Sequence, residues 1–227
     1  PEANGYYAIA GRFGSMITLF TTCFQMAWQE LAYSKSAKED GLGEFYSVAT
    51  NNYIKSMGVG LVILIPSIFI IYPFMVNEAY GVGKELIPFY LLGTILSTIS
   101  SFLGNTFSAI KKNQLLFITM LVGSVANVAC IHLLLPKLGL QASNVALAIG
   151  FLLICVTRLV LLKKELHISI EYRNIVIVII GFICVTAAYQ YGNLWQNIVV
   201  MLVALALIFY FFKDIFHMVL QKVRNRG

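Results

Sequence analysis

The residue best suited to chemistry within an apolar segment is Arg12, which recurs in phase with Ser15, Thr18, Thr22, Gln25 and Gln29. Steps of three and four residues place all six on one helix face, a polar stripe with a cation near its start. An arginine inside hydrocarbon is costly, so it pairs, lines a hydrated cavity, or snorkels to the headgroups. A second stripe, Thr94, Thr98, Ser101, Asn105 and Ser108, lies beside the small residues Gly93, Ser97, Ser100 and Gly104. It suits either cavity lining or the close helix contacts that small hydroxyl residues make in membranes. Asn127 suits a bond to a neighbouring helix, and His132 suits the interface or a proton relay. From these positions the candidate binding set is Arg12, Ser15, Thr22, Gln25, Thr98 and Asn105, with no catalytic residue, metal or cofactor expected.

Other chemistries lack residues. No Asp or Glu stands inside any apolar segment, so direct proton or sodium coupling through a buried carboxylate has no candidate. Neither GxSxG, HExxH, a P-loop nor a glycine-rich dinucleotide fingerprint occurs, which removes the usual hydrolases, metalloproteases and ATPases. Cys23, Cys130, Cys155 and Cys184 lie in apolar segments without CxxC or Cys/His spacing and are expected to be buried, inert thiols.

The elements that must position these side chains are transmembrane helices. Hydrophobic residues make up 59% of the chain and charged ones 11%, too apolar for a soluble fold of 227 residues. Runs of roughly 20 apolar residues, enough to cross a hydrocarbon core, fall near 6–28, 57–76, 86–110, 115–135, 142–162, 174–191 and 194–212. The expected fold is therefore an all-α integral membrane bundle of about seven transmembrane helices. Pro66 is the expected kink, Pro88 opens the third span and Pro136 closes the fourth. Between the first two spans, Phe45, Val48, Ala49, Asn52 and Tyr53 have the spacing of an interfacial helix, and 213–227 reads as a basic amphipathic tail.

Charge placement sets the expected orientation. Thirteen of the 16 Lys and Arg residues, Arg158 among them, fall on the side reached after the odd-numbered spans, while only Lys84 and Lys137 fall on the other. By the positive-inside rule the chain starts outside and ends in the cytoplasm. The net charge of +6 is spread along that face and suits anionic membrane lipids, not nucleic acid. The opening Pro1-Glu2-Ala3-Asn4, without an initiator methionine or a signal-type segment, is that expected of a piece of a longer chain.

Two stretches carry a family resemblance. Glu2 to Ser34, EANGYYAIAGRFGSMITLFTTCFQMAWQELAYS, is similar to a "vGxYsxA" segment that runs into a helix ending at an aromatic "AW" and a polar turn. Lys111 to Gly150 is similar to a "gktk…N…lliPxyGxxGaaxat" segment, with Asn127, Pro136, Gly139 and Gly150 in matching places. Together they resemble the polysaccharide-biosynthesis flippases that export O-antigen and related repeat units, relatives of the MATE-type exporters. The chain departs from the family at Gln141-Ala142-Ser143-Asn144, where a small-residue run is usual. The resemblance implies the last seven helices of a fourteen-helix, alternating-access fold in the bacterial inner membrane. It implies an undecaprenyl-pyrophosphate-linked oligosaccharide as substrate, with Arg12 meeting pyrophosphate oxygens and both stripes meeting sugar hydroxyls. The implied partners are membrane lipids, the N-terminal half of the same transporter and the polysaccharide polymerase machinery.

Three other readings compete. A multidrug exporter of the same superfamily would take cationic drugs, for which a cavity with an arginine and no carboxylate is poorly suited. An O-antigen polymerase or ligase would need a large outer loop, and the outer connections near 77–85, 136–141 and 191–193 are short. A heptahelical receptor or rhodopsin would need DRY, NPxxY or a Schiff-base lysine in the last span, and none occurs.

Overall fold

The computed structural model describes residues 2–36, 41–76, 81–206 and 211. Among them every regular element is an α-helix: α1 Glu2–Ser36, α2 Leu42–Met75, α3 Gly81–Ala109, α4 Asn113–Leu138, α5 Gln141–Leu166 and α6 Tyr172–Tyr191. A shorter apolar helix, α7, follows at Leu194–Ala206. Five of these, α2 to α6, are long and apolar enough to cross a bilayer. The chain is a multi-pass, all-α membrane protein. The expected tail at 213–227 and the end of the 194–212 span lie outside the described residues.

Helix ends differ from the apolar runs, because backbone bonding continues into polar residues at the membrane boundary. The residues expected to form a separate interfacial helix are the first turns of α2, which runs on past Pro66 and Pro73 to Met75. Pro88 stands inside α3, seven residues after its start, and Pro136 lies in the last turn of α4. Gly139, at φ +51, makes the tight turn between α4 and α5, and its N–H donates to Leu135 O at 3.1 Å. Lys111 and His167 adopt the same left-handed region at the ends of α3 and α5.

Two compact units divide the chain. The first comprises Pro1–Ile54 and Asn77–Glu171, hence α1, the start of α2, and α3 to α5. Here α3 packs against α1 and α5, and α4 packs against α5. Contacts between Gly14 and Tyr90, Gln25 and Thr98, and Trp28 and Phe102 advance together along both chains, so α1 and α3 are parallel. The steps from Asn144–Leu86 to Cys155–Leu96 to Arg158–Ser100 show that α5 is parallel to α3 as well. The start of α5, where Gln141–Asn144 depart from the family pattern, packs closely. Ala142, Asn144, Ala146 and Ala148 are all buried, and the Asn144 amide donates to Leu86 O at 3.3 Å.

Aromatic rings fill the space between α1, α2 and α3. Trp28 and Tyr53 each stack on Phe102, at 4.6 and 4.2 Å between ring centroids, and Trp28 also meets Phe45 and Tyr46. Rings of this size dominate the burial of a core and hold their neighbours by offset stacking. Tyr46 is fully buried and its hydroxyl donates to Ala32 O at 3.1 Å, tying the start of α2 to the end of α1.

The second unit comprises Lys55–Val76 and Tyr172–Gly227. In it the later turns of α2 run parallel to α6, with Gly58 against Val178, Gly181 against Val62 and Phe69 edge-on to Tyr189. The short α6–α7 link is closed by Asn197, whose buried amide donates to Ala188 O at 2.8 Å and Asn193 O at 3.2 Å.

Candidate functional site

The α1 stripe is outward-facing. Arg12, Ser15, Thr18, Thr22 and Gln29 are all exposed, whereas Ala10, Phe13, Trp28 and Ala32 on other faces of the same helix are buried. Each hydroxyl is already bonded to its own helix: Ser15 donates to Arg12 O at 2.7 Å, Thr18 to Gly14 O at 3.1 Å, and Thr22 to Thr18 O at 2.7 Å. Such back-bonding lets a hydroxyl sit in an apolar medium without an orphaned donor, yet leaves its lone pairs open to a ligand. Arg12 differs. Among the described residues its guanidinium has no hydrogen-bond or ion-pair partner.

The six predicted residues are divided between α1, which carries Arg12, Ser15, Thr22 and Gln25, and α3, which carries Thr98 and Asn105. Gln25 and Thr98 do meet, the Gln25 amide donating to Thr98 O at 3.4 Å, and the Tyr53 hydroxyl lies against both. Thr98 itself is buried and bonds Ile95 O at 2.8 Å, so its hydroxyl stabilises α3. Arg12 lies near the level of Tyr90, and Asn105 is fifteen residues further along the parallel helix. At 1.5 Å per residue that is roughly 22 Å, so no single ligand group touches both. Tyr90 lies across Gly14, where a Cβ would come within 2.5 Å of its ring, and this close approach brings α1 down onto α3.

A second polar site was assigned differently from sequence. Arg158, counted there with the cytoplasmic loop charges, lies eight residues inside the end of α5 and is only 2% exposed. Its Nε donates to the Thr119 hydroxyl at 3.0 Å, and Nη1 donates to the Ser100 hydroxyl at 3.0 Å and to the Ser100 carbonyl. Thus α3, α4 and α5 all meet at one guanidinium. Gly104 makes the room, since a Cβ there would stand 2.9 Å from Nη1. Among the described residues no carboxylate pairs with it, and the ion pair present there, Lys112 with Glu165 at 3.3 Å, lies at the helix ends. Of the other cations counted on that side, Lys35, Lys111, Lys112, Lys163, Lys164 and Arg173 stand at helix ends or in links, Lys55 lies inside α2, and Lys38, Lys213, Lys222, Arg224 and Arg226 lie outside the described residues.

Three further expectations meet their outcome here. Only Cys155 is buried; Cys23 and Cys184 are exposed and Cys130 is intermediate. His132 is exposed near the end of α4. A cavity of about 250 Å³ opens between α4 and α5, walled by Gly123, Ser124, Asn127, Leu147, Gly150 and Phe151, and none of the six predicted residues lines it. Compared with known proteins, the chain matches no family model, no curated protein and no solved structure.

Proposed function

We propose that this chain is the C-terminal bundle of a flippase that carries undecaprenyl-pyrophosphate-linked oligosaccharides across a bacterial inner membrane. The observation that carries the reading is the open face of α1: a guanidinium at Arg12 with no partner among the described residues, followed by Ser15, Thr22 and Gln25 along one side of a helix packed against the membrane span α3. An anionic headgroup needs a cation where water is scarce, and a sugar chain needs many weak hydroxyl and amide partners, none tight enough to trap it. The lipid tail needs no protein partner, because it stays in hydrocarbon.

In this reading the polar face meets the N-terminal half of the transporter, so that the substrate passes between two bundles. The α1 N-terminus lies outside and the C-terminus in the cytoplasm. Cationic drugs fit this face less well than anionic lipids, since Arg12 would repel them.

The test replaces Arg12 with Ala and with Lys in the full-length gene and scores surface O-antigen in a strain lacking its own flippase. Membrane abundance is checked by immunoblot. Loss of display with Ala at normal abundance, and partial recovery with Lys, is the expected result. Normal display by both variants would remove Arg12 from the pathway.

A further inference from the structure

The rings between α1, α2 and α3 seal in polar atoms that have no partner. Phe24, Tyr53, Phe102, Trp28 and Phe45 stack in that order, with centroids 5.2, 4.2, 4.6 and 5.6 Å apart. Among the described residues six buried side-chain atoms make no hydrogen bond, and four of them stand at this stack: Trp28 Nε1, the Tyr53 hydroxyl, and the hydroxyls of Thr50 and Thr106. Thr50 lies one turn before Tyr53 on α2, and Thr106 one turn after Phe102 on α3. All four residues are at most 5% exposed. The Tyr53 hydroxyl lies against Gln25 and Thr98 but outside hydrogen-bond geometry. Hydroxyls elsewhere on α1 and α3 bond a carbonyl of the preceding turn, as Thr18, Thr21, Thr22, Thr94, Thr98 and Ser101 do. Four orphaned groups in one place depart from that habit, and leaving them unpaired and dry is unfavourable.

We infer that this stack is a gate, shut in this structure, which opens when the end of α1 and the start of α2 swing together away from Phe102. The two ends of the α1–α3 contact differ in the way such a motion needs. Gly14 seats directly under the Tyr90 ring, which makes a pivot. Trp28 stands fourteen residues on, roughly 21 Å along the helix, where ring stacking and one long bond, Gln25 to Thr98 at 3.4 Å, hold α1 to α3. The Tyr46 hydroxyl, bonded to Ala32 O at 3.1 Å, makes the start of α2 travel with α1. Opening gives water to the indole N–H, the phenol and both threonine hydroxyls, and it gives up stacking and ring burial. These terms oppose each other, which is what an element with two discrete arrangements requires. In the flippase reading, on which its transport role rests, the opened junction continues the α1 polar stripe past Gln25 and offers the same four groups to sugar hydroxyls.

The test uses fluorine NMR of the full-length, fluorotryptophan-labelled protein in lipid nanodiscs, with the Trp28 signal identified by its loss in Trp28→Phe. Two Trp28 signals are expected, a major one indifferent to exchange of light for heavy water and a minor one that shifts with it because its indole is hydrated. Combining Thr50→Val, Tyr53→Phe and Thr106→Val keeps the shapes but removes three orphaned groups, so it should cut the hydrated population about tenfold and raise the melting temperature. Tyr53→Phe alone, which keeps its ring in the stack, should cut it about threefold. Phe102→Ala, which removes the middle ring, should make the hydrated signal the major one. A single unhydrated signal in the native protein and in Phe102→Ala overturns the inference, as does a hydrated population that the triple variant leaves unchanged. Surface O-antigen then separates the gate from the reading it rests on. Arg12→Ala should lower display with both Trp28 signals unchanged, whereas the triple variant should lower display by losing the hydrated one. Normal display by Arg12→Ala beside altered Trp28 signals in the triple variant would remove the flippase reading and keep the gate. Display lowered by Arg12→Ala but normal in the triple variant would overturn the gate's part in transport.

Discussion

Arg158 shows how a buried charge is kept by neutral partners, with no carboxylate beside it among the described residues. Taking a guanidinium out of water costs several kcal/mol, and here two hydroxyls and a carbonyl offset that cost. The consequence is an asymmetry among substitutions. Thr119→Val keeps the shape but leaves a charged N–H of Arg158 without its acceptor, so it should destabilise the protein by about 1–3 kcal/mol. Arg158→Met removes the charge and should cost less, and the double variant Thr119→Val with Arg158→Met should be more stable than Thr119→Val alone. Thermal unfolding in detergent of the four proteins of this cycle decides it; independent, additive losses would mean the three helices are not joined at this point. The placement of Arg158 was not legible in the chain, because a basic residue near the end of an apolar run looks the same whether it points to the headgroups or into the bundle. Its partners lie 58 and 39 residues away, and only the fold brings them to it. Arg12 was legible, since its companions share its own helix.

At the scale of elements, the α4–α5 crossing depends on two glycines facing each other. A Cβ on Gly123 would overlap Ile154 and come within 2.8 Å of the Gly150 carbonyl oxygen, and one on Gly150 would lie 3.0 Å from the Cβ of Asn127. Gly123→Ala should therefore push the helices apart and lower stability by about 1–3 kcal/mol, the usual cost of overpacking. Ile154→Ala should relieve part of that loss when combined with it, as read by the shift in melting temperature; no relief would place the strain on the backbone contact instead. The helices themselves were readable because each long apolar run must bond its backbone internally. Their ends were not. Polar residues such as Gln29 to Ser36 continue α1 without any change in hydrogen bonding, and the aromatic contacts of Trp28 with Phe45 and Tyr46 then hold the start of α2 against it.

For the whole molecule, the same features that make α1 a candidate pathway also make it a poor membrane segment by itself. It is 35 residues long, yet it is not among the five helices apolar enough to span, since Arg12, Gln25, Gln29 and the hydroxyls dilute its hydropathy. What places it beside α3 is contact: Gly14 under Tyr90, Trp28 on Phe102, and the Tyr7 hydroxyl donating to Leu140 O at the α4–α5 turn. This has a consequence for biogenesis. A segment of marginal hydropathy emerging from the ribosome partitions incompletely into the bilayer, and its final position then waits on helices made later. In a glycosylation-mapping host, α1 alone should insert inefficiently, and the inserted fraction should rise when α2 and α3 follow it and fall again when Tyr90→Ala removes the ring that seats on Gly14. Equal insertion in all three cases would mean that α1 commits on its own. If the dependence holds, the chain's most polar helix is also its last to settle, and its assembly is ordered in time by the contacts that later keep it in place.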